Sequence, residues 1–64
     1  MKISNEALEY LRTIEGEPLQ VNKYTLELRE ALKSIGFKNT SEGYISDEDL
    51  SEQLNQLKET GEYE

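Results

Sequence analysis

Fourteen carboxylates and no imidazole or thiol bound the chemistry open to this chain. Without His there is no imidazole base, and neither a Ser–His nor a Cys–His pair can form. Without Cys there is no disulfide and no thiolate metal site. What remains is pairs of Asp and Glu. A carboxylate becomes a useful acid or base when an apolar cleft shifts its pKa. A chain of 64 residues has little room for a closed pocket, and every Asp and Glu has an ordinary place on a helix surface. The residues therefore read as non-enzymatic, with no catalytic residue, no cofactor and no metal.

Calcium is the one metal for which a pattern exists. Gly43-Tyr44-Ile45-Ser46 and Asp49-Leu50 mimic the glycine, the following aliphatic and the closing acid of an EF-hand loop. About fourteen residues, Phe37 to Leu50, resemble that loop. The pattern departs where the ion is held. With Gly43 at the sixth position, Lys38 falls at the first and Thr40 at the third, leaving Glu42 and Asp49 as carboxylates at ligand positions. A lysine cannot ligate calcium, so the segment reads as a helix–loop–helix with a good cap.

The acids are not evenly spread. Residues 1–41 carry six acids and six bases, net zero, whereas residues 42–64 carry eight acids and one base, net −7. The whole excess charge sits in the last third. Direct DNA or RNA binding needs a basic surface, and this chain lacks one. Lys23, Arg29, Lys33 and Lys38 could form a small basic stripe, but Glu27 and Glu30 interrupt it. At 100° per residue, Glu48, Glu52 and Glu59 line one stripe of a third helix, with Asn55 on the same side and Asp47 and Asp49 flanking its top. Two readings stand for this stripe. It is a solubilising surface, or it is an anionic patch for a basic partner. A third use would be imitation of DNA, which has one charge per about 1.7 Å. Residues 47–60 as helix would span about 21 Å and carry five acids and one Lys, a sparse match for about a dozen phosphates.

Three helices must position these groups. Ser4 caps the first, with Ile3 and Leu8 as its hydrophobic staple, and Gly16 ends it. The second starts between Pro18 and Asn22 and ends at Gly36, where Phe37 folds back on Leu32 in a Schellman arrangement. The third starts at Ser46, with Asp49 completing a capping box and Ile45 and Leu50 as staple, and stops at Gly61. Residues 37–46 are either a loop or a short hairpin, Phe37–Thr40 against Tyr44–Ser46, turning on Ser41-Glu42-Gly43. The predicted core is Ile3, Leu8, Leu11, Ile14, Val21, Tyr24, Leu28, Leu32, Ile35, Phe37, Ile45, Leu50, Leu54 and Leu57. Leu26 lies on the back of the second helix, and Leu19 projects nearly the same way if the helix starts at Pro18. Together they form a possible apolar interface.

The fold class is thus mainly α. Residues 1–61 form a single three-helix domain, with a hairpin between helices 2 and 3 as an option, and residues 62–64 form a frayed acidic tail. Mean hydropathy of −0.82 and the absence of any long apolar run exclude a membrane span. No signal-peptide core follows Met1, so a cytoplasmic location is expected. The leading expectation is a non-catalytic module that docks on a basic surface of a larger protein, as inhibitor or adaptor. Its partner-binding residues would be Glu48, Glu52, Glu59, Asp47 and Asp49. Size and acidity associate such chains with phage and mobile-element accessory proteins, which is an association of composition alone. The alternatives are a self-associating structural component of a larger particle, and a DNA-mimic inhibitor. A small core gains from extra burial, so a homodimer is a possible partner state.

Overall fold

A computed structural model describes residues 1–63. Its elements run α1 (Asn5–Arg12), α2 (Thr25–Ile35), β1 (Lys38–Thr40), β2 (Gly43–Ile45) and α3 (Ser51–Thr60). The three helices pack pairwise, and the strands form an antiparallel hairpin between α2 and α3. The expected fold class, with its optional hairpin, is the one observed.

α1 begins as its sequence requires. The Ser4 hydroxyl accepts from the Ala7 N–H at 3.2 Å and donates to a Glu27 carboxylate oxygen at 2.9 Å. One side chain thus satisfies an orphan donor of α1 and ties its start to α2. Ile3 and Leu8, the expected staple, are both buried. The helix ends at Thr13, before Gly16.

The end of α2 follows the Schellman pattern in full. The Phe37 N–H donates to the Leu32 carbonyl at 2.9 Å and the Gly36 N–H to that of Lys33 at 3.2 Å. Gly36 takes a φ of 123°, a region closed to most side chains. Phe37 and Leu32 are both buried.

The start of α2 differs from expectation. It lies at Thr25, after Tyr24 in the left-handed region at φ 54°. The preceding residues are taken by a different partner. Leu19 donates its N–H to the Tyr44 carbonyl and accepts the Tyr44 N–H, both at 2.9 Å. A residue's two strand groups point to one side, so β2 pairs with β1 on one edge and with Leu19 on the other. Gly43 makes this approach possible, because a Cβ there would stand 2.7 Å from the Leu19 carbonyl oxygen. Leu19 is therefore fully buried and belongs to no exposed patch. The Asn22 N–H donates to the Tyr10 hydroxyl, and the Tyr24 ring lies tilted against Tyr10 at 5.9 Å. Tyr24 thus covers Tyr10 from outside and stays largely exposed rather than entering the core.

The hairpin register is Lys38↔Ile45, Asn39↔Tyr44 and Thr40↔Gly43. Its turn is the two residues Ser41-Glu42, one shorter than the spacing suggests. Tyr44 enters the core and Ile45 remains half-buried. The core otherwise holds Ile3, Leu8, Leu11, Leu28, Leu32, Phe37, Leu50 and Leu57 as predicted, joined by Ala7, Ala31 and Leu19. Ile14, Val21, Ile35 and Leu54 pack at its edge.

The two outer helices close each other's carboxyl ends. Arg12 Nε donates to the Lys58 carbonyl at 2.7 Å, and Lys58 Nζ donates to the Ile14 carbonyl at 2.7 Å. Cations at helix carboxyl ends satisfy orphan carbonyls and complement the dipole. The chain ends also meet. Ile3 N–H donates to the Gly61 carbonyl, Tyr63 N–H donates to the Met1 carbonyl, and Lys2 pairs with Glu62. Glu62 and Tyr63 are thus held by backbone pairing, contrary to the frayed tail expected there. Glu64 lies outside the described residues.

Candidate functional site

The five acids expected to share a partner-binding surface separate into two groups. Asp47 faces Lys38 Nζ at 2.6 Å, the one ion pair among the described residues. The Asp47 carboxylate raises the Lys38 pKa above its ordinary value, first by hydrogen bonding and then by charge. Both side chains are mostly exposed, and such pairs contribute little to stability. Asp49 serves α3. Its carboxylate accepts from the Ser51 N–H at 3.0 Å and from the Ser51 hydroxyl, and these bonds lower its pKa. This local turn leads into α3, whose N-cap position is Leu50 with no side-chain cap bond, so the cap expected from Ser46 is not made. Ser46 is instead turned to the Glu17 carboxylate and the Glu48 carbonyl.

Glu48, Glu52 and Glu59 form the second group. All three are exposed, and none of their carboxylates has a hydrogen-bond or ionic partner among the described residues. Their arrangement differs from a continuous stripe. Because α3 starts at Ser51, Glu48 sits in the preceding turn rather than one helical turn below Glu52. Glu52 and Glu59 are on the helix, close to the same angular position and about 10.5 Å apart along the axis. Lys58, the only base after residue 41, is directed at the Ile14 carbonyl and neutralises neither of them.

This geometry weakens the resemblance to DNA. α3 has ten residues, about 15 Å of axis. Duplex DNA places about nine charges in that length, where α3 has Glu52 and Glu59.

A concavity of about 380 Å³ at the start of α3 is lined by Glu17, Phe37, Glu48, Asp49, Leu50 and Leu54. Two more lie beside the helices. One, of about 800 Å³, lies between α2 and α3 and is lined by Ser34, Ile35, Gln53, Gln56, Glu59 and Tyr63. The Tyr63 hydroxyl lies 3.5 Å from a Glu30 carboxylate oxygen, and burial followed by Glu30 raises its pKa. The other, of about 380 Å³, lies between the start of α2 and the hairpin. Leu26 stands beside it, 77% exposed. Of the expected Leu19–Leu26 patch, Leu26 alone is at the surface. No group of three or more acids that could hold a metal ion occurs among the described residues. In the segment that resembles a calcium loop, residues 38–45 are a hairpin and Asp49 is turned to Ser51. No helix among the described residues is long and apolar enough to cross a membrane.

The signal for the intramolecular bonds of Asp47 and Asp49 was present locally. Lys38 opens a short hairpin that folds back toward Asp47, and an Asp two residues before a Ser can bond that residue's N–H. No family model, curated protein or solved structure matches this chain.

Proposed function

We propose that this chain is a non-catalytic protein-binding module that docks on a basic surface of a larger protein. Glu48, Glu52 and Glu59 are the contacts. One observation carries the reading. Asp47, Asp49 and Lys58 bond within the molecule, whereas these three carboxylates, like those of Glu42 and Glu62, have no partner among the described residues, in the segment that holds the net charge of −7. Exposed charge of one sign speeds encounter with a surface of the other sign. Asp47 and Asp49 hold the turn and the helix that present the contacts, so they are positioning groups. The effect on the partner would be inhibition or adaptation in the cytoplasm.

Affinity capture with the tagged protein, read by mass spectrometry, tests this. A basic protein as the enriched prey, lost when Glu48, Glu52 and Glu59 are all changed to Gln, supports the reading. Prey that survives the triple change contradicts it.

A further inference from the structure

Leu26 is the most exposed leucine of the chain, and its surroundings are specific. It occupies the first turn of α2, on the wall of the groove that α2 forms with the hairpin. Arg29 lies on the same wall, one turn further on, and Glu42 lies across the groove in the hairpin turn. These opposite charges line one groove, yet they form no ion pair with each other within the chain. Among the described residues none after Tyr44 lines the groove, so the acidic α3 takes no part in it.

We propose that this groove is a self-complementary interface through which two copies of the chain associate about a two-fold axis. In such an interface residue i of one copy meets residue j of the other, and j meets i. Leu26 of each copy enters the groove of its partner. Arg29 of each copy then faces Glu42 of the other, giving two symmetric ion pairs from residues that form none among the described residues of one copy. The electrostatics favour this face over that of α3. Two copies each carrying −7 repel, but that charge lies after residue 41, while residues 1–41 are neutral. Association through α2 and the hairpin keeps the two α3 acid lines out of the contact. A core this small also gains from added apolar burial. The proposal is independent of the basic-partner reading, since the two use different residues.

Sedimentation equilibrium at high micromolar protein tests it. The parent should dimerise, and more tightly as salt screens the net repulsion. Leu26→Glu should weaken association at least about tenfold with unchanged far-UV circular dichroism, because an exposed side chain contributes little to folding. Leu26→Ser should do the same without adding charge. Arg29→Glu and Glu42→Arg should each weaken the dimer, and the double exchange should restore it. Glu42→Arg is the discriminating variant. It lowers the net charge from −7 to −5, so non-specific repulsion alone would make that dimer tighter. A monomeric parent, a dimer indifferent to Leu26, or a double exchange no tighter than the single changes would overturn the proposal.

Discussion

The turn and helix that carry Glu48, Glu52 and Glu59 present charge without partners among the described residues, whereas the groove of α2 and the hairpin presents Leu26 and Arg29 on one wall and Glu42 on the other. The first face acts at a distance. Its charges are felt over about 8 Å at physiological ionic strength and are weakened by added salt. The second face acts on contact, through apolar burial and matched charges, and gains when salt quenches the repulsion between copies. The difference also lies in how each face is built. The contacts of the acid face are local, an Asp49–Ser51 turn and an exposed Asp47–Lys38 ion pair. The groove rests on a pairing between Leu19 and Tyr44, distant in the chain.

The largest expected effect removes both faces together. Leu28 is fully buried on α2. Leu28→Ala should cost about 2–5 kcal/mol, which is as much as a core of this size commonly supplies, about 3–5 kcal/mol. Far-UV circular dichroism at 25 °C should show a largely unfolded chain. A fully helical variant would mean that the core contributes less than this account assumes.

A smaller effect separates the faces. Gly43→Ala places a Cβ against the Leu19 carbonyl oxygen at a φ of 137°, so the Leu19–Tyr44 pairing should open. Amide hydrogen exchange should speed up at Leu19 and Tyr44 while the α3 amides keep their protection. Equal loss in both regions would show that the faces are not built independently.

Acid sharpens the comparison on the other side. The Asp49 pKa is lowered by Ser51 from about 3.8. A lowered pKa means that ionised Asp49 favours the folded chain. That contribution is complete above about pH 5 and is lost as pH falls through the folded value. In urea unfolding at pH 6 and pH 3, the parent should lose more stability on acidification than Asp49→Asn, which keeps an acceptor oxygen but does not titrate. Identical losses would remove the Asp49–Ser51 turn from the account of α3.

The sequence carried the local features and missed the distant ones. The Ser4 cap, the Ile3–Leu8 staple and the Phe37–Leu32 turn depend on residues at most five apart, and all three formed. The start of α2 was misplaced because Pro18 and Asn22 are good helix openers, while Leu19 has a strand partner that no local pattern marks. That pairing buried Leu19 and moved Tyr24 outward. The start of α3 was misplaced for a different reason. Ser46 is a good cap by pattern, but its hydroxyl is turned to Glu17 and the Glu48 carbonyl, and α3 starts only after Leu50, which leaves Glu48 off the helix. The acid site was legible as a charge excess, but its division into used and unused carboxylates required coordinates.

The central claim is that Glu48, Glu52 and Glu59 contact a basic partner rather than merely keeping the chain in solution. The most direct test is surface plasmon resonance with the captured partner, at low and high salt, on the parent and on the triple change to Gln. Gln keeps helix propensity nearly constant at positions 52 and 59, Glu48 lies outside the helix, and far-UV circular dichroism of the variant checks that loss of the Glu52 charge in the first turn leaves the fold intact. The account predicts that parent affinity falls with salt, and that the triple variant binds at least about tenfold more weakly at low salt, or about 1.4 kcal/mol. Equal affinity of parent and variant at both salts would contradict it.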